Sequence, residues 1–525
     1  MAVDARARAL VDRLVADLAP LEAEVCEAWW TTNVASSPDA DAKRIALEQR
    51  LSDYYANAEA YAELDAVAKE PIEDADLRRS VETLRLAFAA EQTPAELRTE
   101  LVTLNAECDS IYATFRGEAG GRRWNDNDIE KVLADSDDSA ERQAAWEASK
   151  QVGAAVADRV RRLVEVRNAA ATRLGYPHYY AMSLAFGELS EDRLFALLDE
   201  LDALTAEPFQ RMKTALDAKL AERFGVEEVM PWHYADPFFQ DAPREAAVDL
   251  DPLVAGRDLT DLTLRTYDGL GVELRPVVER SDLFTRDGKN QHAFCLNVDR
   301  GPDVRVLCNV IDSERWASTM LHEFGHAAYD VYLGADLPWT LRKPAHSLTT
   351  EAVAQLFGRL SKDAGWLRDV AGVPEQELVG VDEQVAAALR AHMLVFARWV
   401  LVMCHFERGL YADPSADHNA RWWDLVERFQ GVTRPPGRNA PDWAAKLHLA
   451  LAPVYYQNYV LGELFASQLQ ATVEARGGRL YDDPETGEWL RRSVFGPGAR
   501  LRWDRLVEQA TGEPISAKAF AKQFV

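Results

Sequence analysis

The chain has 525 residues, enough for a large buried core, and 86 acidic against 59 basic side chains give it a formal net charge of −27. A surface this acidic disfavours nucleic acid or an anionic membrane as the main partner, since both repel negative charge. Five cysteines without a C-x-x-C pair predict reduced thiols rather than a disulfide framework. Residues 1–20 lack the apolar core of a signal peptide, and we expect no apolar run of bilayer length. The sequence therefore predicts a cytoplasmic protein, and it implies no membrane, nucleic acid or obligate protein partner.

Helical periodicity dominates the first part of the chain. Residues 5 to about 225 place apolar side chains at three- and four-residue spacing, with Pro-, Gly- and Asp-rich stretches such as SSPDAD between segments. No repeat, low-complexity tract or long linker interrupts the pattern, which predicts a single helical domain over 1–525. Residues 226–255 are irregular and aromatic. His233 and Tyr234 in that stretch could line a pocket or could simply pack within the loop.

A short β-hairpin is predicted next. The segments QHAFCLNV (291–298) and VRVLCNV (304–310) flank the turn sequence DRGPD. An exposed edge of this hairpin could bind an extended peptide as an additional strand. The hairpin could equally pack under the helix that follows, and the sequence leaves both interpretations open.

That following helix carries a metal-binding motif. The stretch Trp316–Leu333 is predicted to be helical, with Asp312 or Ser313 as its N-cap and Gly334 after its end. It contains H-E-x-x-H, in which His322 and His326 are four residues apart and so share a helix face. Two imidazoles on one face can reach a single metal ion. Taken alone, the pattern could also arise by chance on an amphipathic helix.

Glu351 supplies the carboxylate that would complete such a site. It lies 25 residues after His326, and we expect it in the first turn of a helix. Two histidines and one glutamate leave a zinc coordination position open for water, and Glu323 beside them can act as the general base. The oxyanion formed during acyl transfer needs a further donor. Tyr456 and Tyr459 share a helix face and are candidates for that donor.

Several segments resemble a known enzyme family. HEFGH followed by TTEAVAQ resembles the gluzincin zinc peptidases, above all the angiotensin-converting-enzyme (peptidyl-dipeptidase A) family, with the thimet oligopeptidase family close to it. EAWWTTNVASSPDADAKRI, RNAAATRLGYPHYYAMSL and KLHLALAPVYYQNYV are similar to other parts of the same family. The resemblance implies a mainly α, two-lobed zinc peptidase with a deep central channel and a small β-hairpin beside the zinc helix. It also implies an N-terminal helical lid over roughly 1–110, a zinc site within 290–360 and a closing tyrosine segment within 446–470.

The resemblance further implies a role for each matching residue. One zinc ion per chain would be held by His322, His326 and Glu351, with Glu323 as general base and Tyr459 stabilising the oxyanion. Substrate would be bound by His292 and Ala293 at the hairpin edge, Lys446 at the terminal carboxylate, His448 at the backbone, and Tyr456 at the carboxylate end.

Three positions depart from the family pattern. Gln355 stands where an acidic residue is expected, which is closer to the oligopeptidase pattern. Asn458 replaces a basic residue linked to chloride activation, so we expect no chloride dependence. Tyr234 falls near the place of a carboxylate-binding glutamine, which weakens the case for strict dipeptide release.

The sequence thus predicts a zinc metallopeptidase that hydrolyses short oligopeptides. It would either release C-terminal dipeptides or cut internally, as an oligopeptidase of the thimet type does. A zinc-containing peptide-binding protein without activity and a metal-free helical scaffold are the alternatives.

Overall fold

The computed structural model describes residues 2–241 and 248–525, and the chain divides into two compact units. The first unit comprises Met1–Gln92, Asp249–Asp382 and Leu461–Ser516, and the second comprises Thr93–Val248, Glu383–Val460 and Ala517–Val525. Each unit is therefore assembled from three separate stretches of chain. The expectation of a mainly α fold is confirmed, because two small two-stranded sheets are the only sheets in the described part of the chain.

The first unit contains the N-terminal helices, one hairpin and the predicted metal helix. Its elements are α1 (Ala2–Val34), α2 (Pro38–Tyr55), α3 (Ala58–Ala68), α4 (Ala75–Ala90), and, after the second unit's first stretch, α10 (Asp251–Val254), α11 (Leu259–Asp268), α12 (Arg275–Arg280), β3 (Phe294–Asn297), β4 (Val304–Leu307), α13 (Glu314–Val331), α14 (Ser347–Gly358), α15 (Ala364–Asp369), most of α19 (Tyr456–Ala475), α20 (Pro484–Leu490) and α21 (Trp503–Thr511).

The N-terminal helices of this unit share an apolar core. Leu14 and Leu18 of α1, Leu64 of α3 and Phe88 of α4 are fully or almost fully buried in one cluster. Helix α1 runs through Pro20 without ending. No residue of α2 is fully buried, but its partly buried Leu51, Tyr54 and Tyr55 pack against this cluster.

The second unit is built mainly of long helices. Its elements are α5 (Ala95–Thr114), β1 (Gly117–Ala119), β2 (Arg122–Trp124), α6 (Asp126–Asp135), α7 (Ser139–Arg173), α8 (Tyr179–Phe186), α9 (Glu191–Phe224), most of α16 (Val381–Ala412), α17 (His418–Gln430), α18 (His448–Leu451), the first residues of α19, and α22 (Lys518–Phe524).

Helix α16 corrects the expectation that no apolar run reaches bilayer length. By length and composition Val381–Ala412 could cross a membrane, with a mean hydropathy of 1.6 over its most apolar window. However, 61% of that window is buried inside the protein, and Trp399 and Met403 are among its buried residues. The burial is that of a core helix.

Both sheets are antiparallel hairpins. Strand β3 pairs with β4 in the register Phe294 opposite Leu307 and Asn297 opposite Val304. The strands are shorter than the predicted segments 291–298 and 304–310, because residues 291 and 292 form a bend before β3 begins. Strands β1 and β2 lie in GEAGGRRWNDND, one of the Gly- and Asp-rich stretches that the sequence pattern places between helices. A strand of three residues is too short to show alternation.

Candidate functional site

Helix α13 presents three side chains along one stripe. Ser313 caps the helix by accepting the backbone N–H of Trp316, as expected. From Leu321 to Asp330 every residue is buried except His322, His326 and Asp330. These three residues are spaced four apart, so they lie above one another on a single face of the helix. The other residues of this stretch are held in the core, which fixes the direction in which this face points.

A close helix crossing brings the carboxylate to the two histidines. A Cβ atom added to Gly325 would lie 2.9 Å from the Cα of Ala354, so only glycine permits α13 and α14 to approach this closely. Helix α14 begins at Ser347, capped by the ring nitrogen of His346. Glu351 is consequently in the second turn of its helix rather than in the first, where the sequence pattern predicted it.

The crossing forms a cluster of three potential metal ligands. One ligand atom each from His322, His326 and Glu351 lies within 4.8 Å of the others. The distance from His322 Nε2 to Glu351 Oε2 is 3.7 Å, and that from His326 Nε2 to Glu351 Oε1 is 4.0 Å. Ligands bound tetrahedrally to zinc at about 2.0–2.1 Å lie ~3.3 Å apart. The three side chains therefore fit one zinc ion after a small inward movement.

The two histidines are in the protonation state that a metal requires. Burial lowers the pKa of His322 to about 4. Burial and then the neighbouring His322 lower the pKa of His326 to about 3. His326 Nδ1 lies 2.7 Å from the hydroxyl of Thr350, which directs Nε2 towards Glu351. A partner on the second ring nitrogen is the usual way of orienting a metal-binding imidazole.

Glu323 is positioned by the hairpin. The residue is 8% exposed, and its carboxylate accepts a hydrogen bond from the backbone N–H of Cys295 in β3. Burial and then the charge of Glu351 raise the pKa of Glu323 to about 8. A carboxyl group with a pKa near the working pH suits a general base that must also release its proton.

A cavity of about 540 Å³ opens onto these residues. Its walls are the α1 segment with Glu22 and Cys26, strand β3, and the α13 face with both histidines. Ala293 lines this cavity, whereas His292 does not. His292 is exposed, and its backbone N–H donates to Asn290 Oδ1. Strand β3 pairs only with β4 among the described residues, and its residues line the cavity, where Glu323 already accepts the N–H of Cys295.

The remaining predicted site residues lie in the second unit. Lys446 Nζ donates to Gln240 Oε1 at 2.6 Å and lies near the rings of Trp399 and Tyr456. Burial lowers the pKa of Lys446 to about 8. No sequence pattern pointed to Gln240, yet an amide and an ammonium side by side can bind a carboxylate.

Gln240 therefore contacts Lys446, while Tyr234 is engaged elsewhere. The hydroxyl of Tyr234 donates to Asp217, and its ring stacks on that of Phe239. The loop that carries Gln240 is shaped by the buried Asp236, whose carboxylate accepts the backbone N–H groups of residues 238, 240 and 241. His233 is also a packing residue, stacked on Phe224.

His448 and the two tyrosines form a chain of rings. The ring of His448 lies 4.8 Å from that of Tyr456, which in turn lies 5.6 Å from that of Tyr459. Trp399 Nε1 donates to the hydroxyl of Tyr456. His448 Nδ1 is buried and has no hydrogen-bond partner in the described part of the protein, so it can bind an incoming polar group.

Gln355 lies against the backbone of α19. A Cβ atom added to Gly462 would lie 2.9 Å from Gln355 Oε1 and 3.3 Å from the Cβ of Glu351. Gln355 Oε1 is buried without a hydrogen-bond partner among residues 2–241 and 248–525. The glutamine at this departure from the family pattern therefore fills a tight space beside the predicted metal ligand.

Comparison with known proteins identifies the relatives of this chain. The profile of the peptidase M2 family, described as angiotensin-converting enzyme, matches residues 2–231 and 285–525. An angiotensin-converting enzyme of Theromyzon tessulatum is 21% identical over 460 residues, which cover 79% of this chain and 74% of that protein.

Other relatives match over shorter stretches. The angiotensin-converting enzyme of Sus scrofa is 24% identical over 258 residues, 44% of this chain, and the match spans only 19% of that protein. Thermostable carboxypeptidase 1 of Thermus thermophilus is 26% identical over 44% of this chain and 50% of its own length. Because the family profile covers most of the sequence, the resemblance noted from the motifs is confirmed, and the chain belongs to the angiotensin-converting enzyme family.

Proposed function

We propose that this protein is a zinc metallopeptidase that hydrolyses short oligopeptides. The observation that carries the proposal is the cluster of His322, His326 and Glu351, with Glu323 buried beside it. Membership of a peptidase family supports the same reaction class. One relative, from Caenorhabditis elegans, is named an inactive angiotensin-converting enzyme-related protein. Retention of Glu323 favours an active enzyme here, since a binding protein could lose this residue freely.

The residues of the chain account for the proton transfers. A bound zinc ion would polarise the scissile carbonyl group and lower the pKa of the attacking water. Glu323 takes the proton of that water and later delivers it to the departing amine. The hydroxyl of Tyr459 is proposed to stabilise the developing oxyanion.

The part of β3 that lines the cavity is proposed to hold the substrate. A peptide added to this strand would be fixed by main-chain hydrogen bonds, and Ala293 would contribute to them. His292 is proposed to contact substrate through its exposed side chain, since its N–H is already engaged.

Lys446 and Gln240 are proposed to bind the terminal carboxylate of the substrate. Their 2.6 Å contact and the open Nδ1 of His448 support this assignment, with Tyr456 at the same end. A free-carboxylate requirement favours release of C-terminal dipeptides. An internal-cutting oligopeptidase would not need these residues. A cytoplasmic location remains part of the proposal.

Product analysis by mass spectrometry tests the proposal. Peptides of three to ten residues, with a free or an amidated C-terminus, are incubated with the zinc-loaded wild type, with Glu323→Gln and with Lys446→Gln. We expect stepwise loss of C-terminal dipeptides by the wild type, no cleavage by Glu323→Gln, and weak cleavage of free peptides by Lys446→Gln. Internal cuts that are indifferent to amidation would support the oligopeptidase alternative.

The metal content of the purified protein completes the test. One zinc ion per chain is expected in the wild type and in Glu323→Gln, because Glu323 is not a ligand. A protein that binds zinc but cleaves none of the peptides would contradict the enzymatic proposal. A protein that binds no zinc would contradict the metal site.

A further inference from the structure

Asp330 is the third member of the α13 stripe, and neither the metal site nor the proposed chemistry uses it. It lies one helical turn after His326 on the same face and lines the same cavity. One turn of four residues corresponds to about 6 Å along the helix axis. A carboxylate at this distance is too far to join the three ligands and near enough to contact a peptide bound beside them.

The carboxyl group of Asp330 has no partner. No hydrogen bond or ion pair of this side chain occurs within the described residues, and burial alone raises its pKa to about 7. Four basic side chains line the two cavities that Asp330 borders, and none of them forms a hydrogen bond or ion pair with Asp330 within the described residues: Arg280, Arg300, Arg342 and Lys343. Arg300 pairs with Glu22, while Arg280 and Arg342 donate to backbone carbonyl oxygens. A half-buried carboxyl group without a counterion is ready to receive a cation.

The surroundings of Asp330 indicate which part of a substrate it would meet. A second cavity of about 480 Å³ is lined by Asp330 together with Gly301 and Pro302 of the hairpin turn. Asp330 therefore lies at the end of β3 that leads into the turn. A substrate strand antiparallel to β3, the commoner pairing, would pass this end with the residues that precede the scissile bond.

We infer that Asp330 binds a cationic nitrogen of the substrate, located about two residues before the scissile bond. The spacing follows from the ~6 Å helical turn divided by the ~3.3 Å rise per residue of a strand. The nitrogen can belong to a lysine or arginine side chain in a longer peptide, or to the free N-terminus of a short one. This inference rests on the proposed peptidase function and names its substrate class.

The test compares matched substrates on the zinc-loaded enzyme. One pair is N-acetylated and carries lysine or glutamine two residues before the bond that is cut. In the second pair, the residue two positions before the bond that is cut is the first residue of the peptide, and its N-terminus is free in one member and acetylated in the other. A hydrogen bond to a charged group is worth about 1.5–3 kcal/mol, so kcat/KM should favour the cationic member of at least one pair by about 10- to 100-fold. The pair that responds identifies the source of the nitrogen.

Two variants assign the preference to Asp330. Asp330→Asn should abolish the preference while leaving cleavage of the neutral peptides and zinc content unchanged. The control is Asp299→Asn, which also removes one negative charge from the lining of this cavity. Unlike that of Asp330, the carboxylate of Asp299 already accepts hydrogen bonds, from the N–H groups of residues 301 and 303. Asp299→Asn should keep the preference.

The outcomes separate this inference from the proposed function. A wild type that cleaves peptides but does not distinguish either pair would overturn the role of Asp330 alone, whether or not the variants fold. A preference for lysine after the scissile bond instead of before it would overturn the strand orientation on which the inference depends. A wild type that cleaves nothing would overturn the proposed function as well.

Discussion

Replacing Gly325 with alanine tests whether the helix crossing sets the metal site. The new Cβ atom would lie 2.9 Å from Ala354 Cα and 3.3 Å from Ala354 N, both in the backbone of α14. Carbon atoms in contact are normally about 3.5–4.0 Å apart, so the two helices must separate by roughly 0.6–1.1 Å. Zinc–ligand distances tolerate only about 0.2 Å. We therefore expect a loss of about 1–3 kcal/mol in the free energy of unfolding and at least ~10-fold weaker zinc binding.

Urea unfolding of the metal-free protein and competition with a chromophoric chelator measure the two effects separately. Gly117→Ala is the matched control, because its Cβ would lie 2.3 Å from the carbonyl oxygen of Ala148. Both of these residues belong to the second unit, whereas Gly325 belongs to the first. The control should lose stability and keep its zinc affinity. If Gly325→Ala binds zinc as tightly as the wild type, the close crossing of α13 and α14 does not position Glu351.

Three further predictions concern the residues around the two sets of site side chains. Thr350→Val removes the partner of His326 Nδ1 with little change in volume, and zinc affinity measured by the same competition should fall about 10-fold; unchanged affinity would contradict an orienting role. Lys446 carries its positive charge below its pKa of about 8. For peptides with a free carboxylate, kcat/KM should therefore fall as the pH rises through 8, whereas kcat/KM for amidated peptides should not show this fall. In Lys446→Arg, the fall in kcat/KM should occur at a higher pH. Gln240→Leu should raise KM for free-carboxylate peptides by about 10-fold without affecting amidated ones, and equal effects on both would refute carboxylate binding.

The sequence was most informative where chemistry depends on spacing along a helix. The separation of His322 and His326 predicts a shared face, and Glu351 could be named because a second helical segment followed at a fixed distance. The crossing that joins them depends on the close approach at Gly325, and a lone glycine inside a helical pattern does not reveal which helix packs against it. Spacing therefore indicated the ligands but not how they meet.

Irregular stretches were the least predictable. Gln240 lies in an aromatic loop whose shape depends on one buried carboxylate, that of Asp236, accepting three backbone N–H groups. Such a loop has no periodicity, so the sequence pattern could not indicate that Gln240 contacts Lys446. The sequence pattern likewise predicts only a loop around Gly120 and Gly121, both with positive φ, because the strands that flank this turn have only three residues each.

The interleaving of the chain between its two units has a consequence for synthesis. The first unit needs Leu461–Ser516 as well as the N-terminal 92 residues, and the second needs Ala517–Val525. Neither unit can be complete until its last stretch, Leu461–Ser516 or Ala517–Val525, has left the ribosome. Helices α1, α3 and α4 can pack on one another early, but the contacts of α1 with β3 and of α4 with residues 339–341 form only after those residues have been made. Expression of either unit as one continuous fragment should fail, and chaperone dependence should be greatest late in translation.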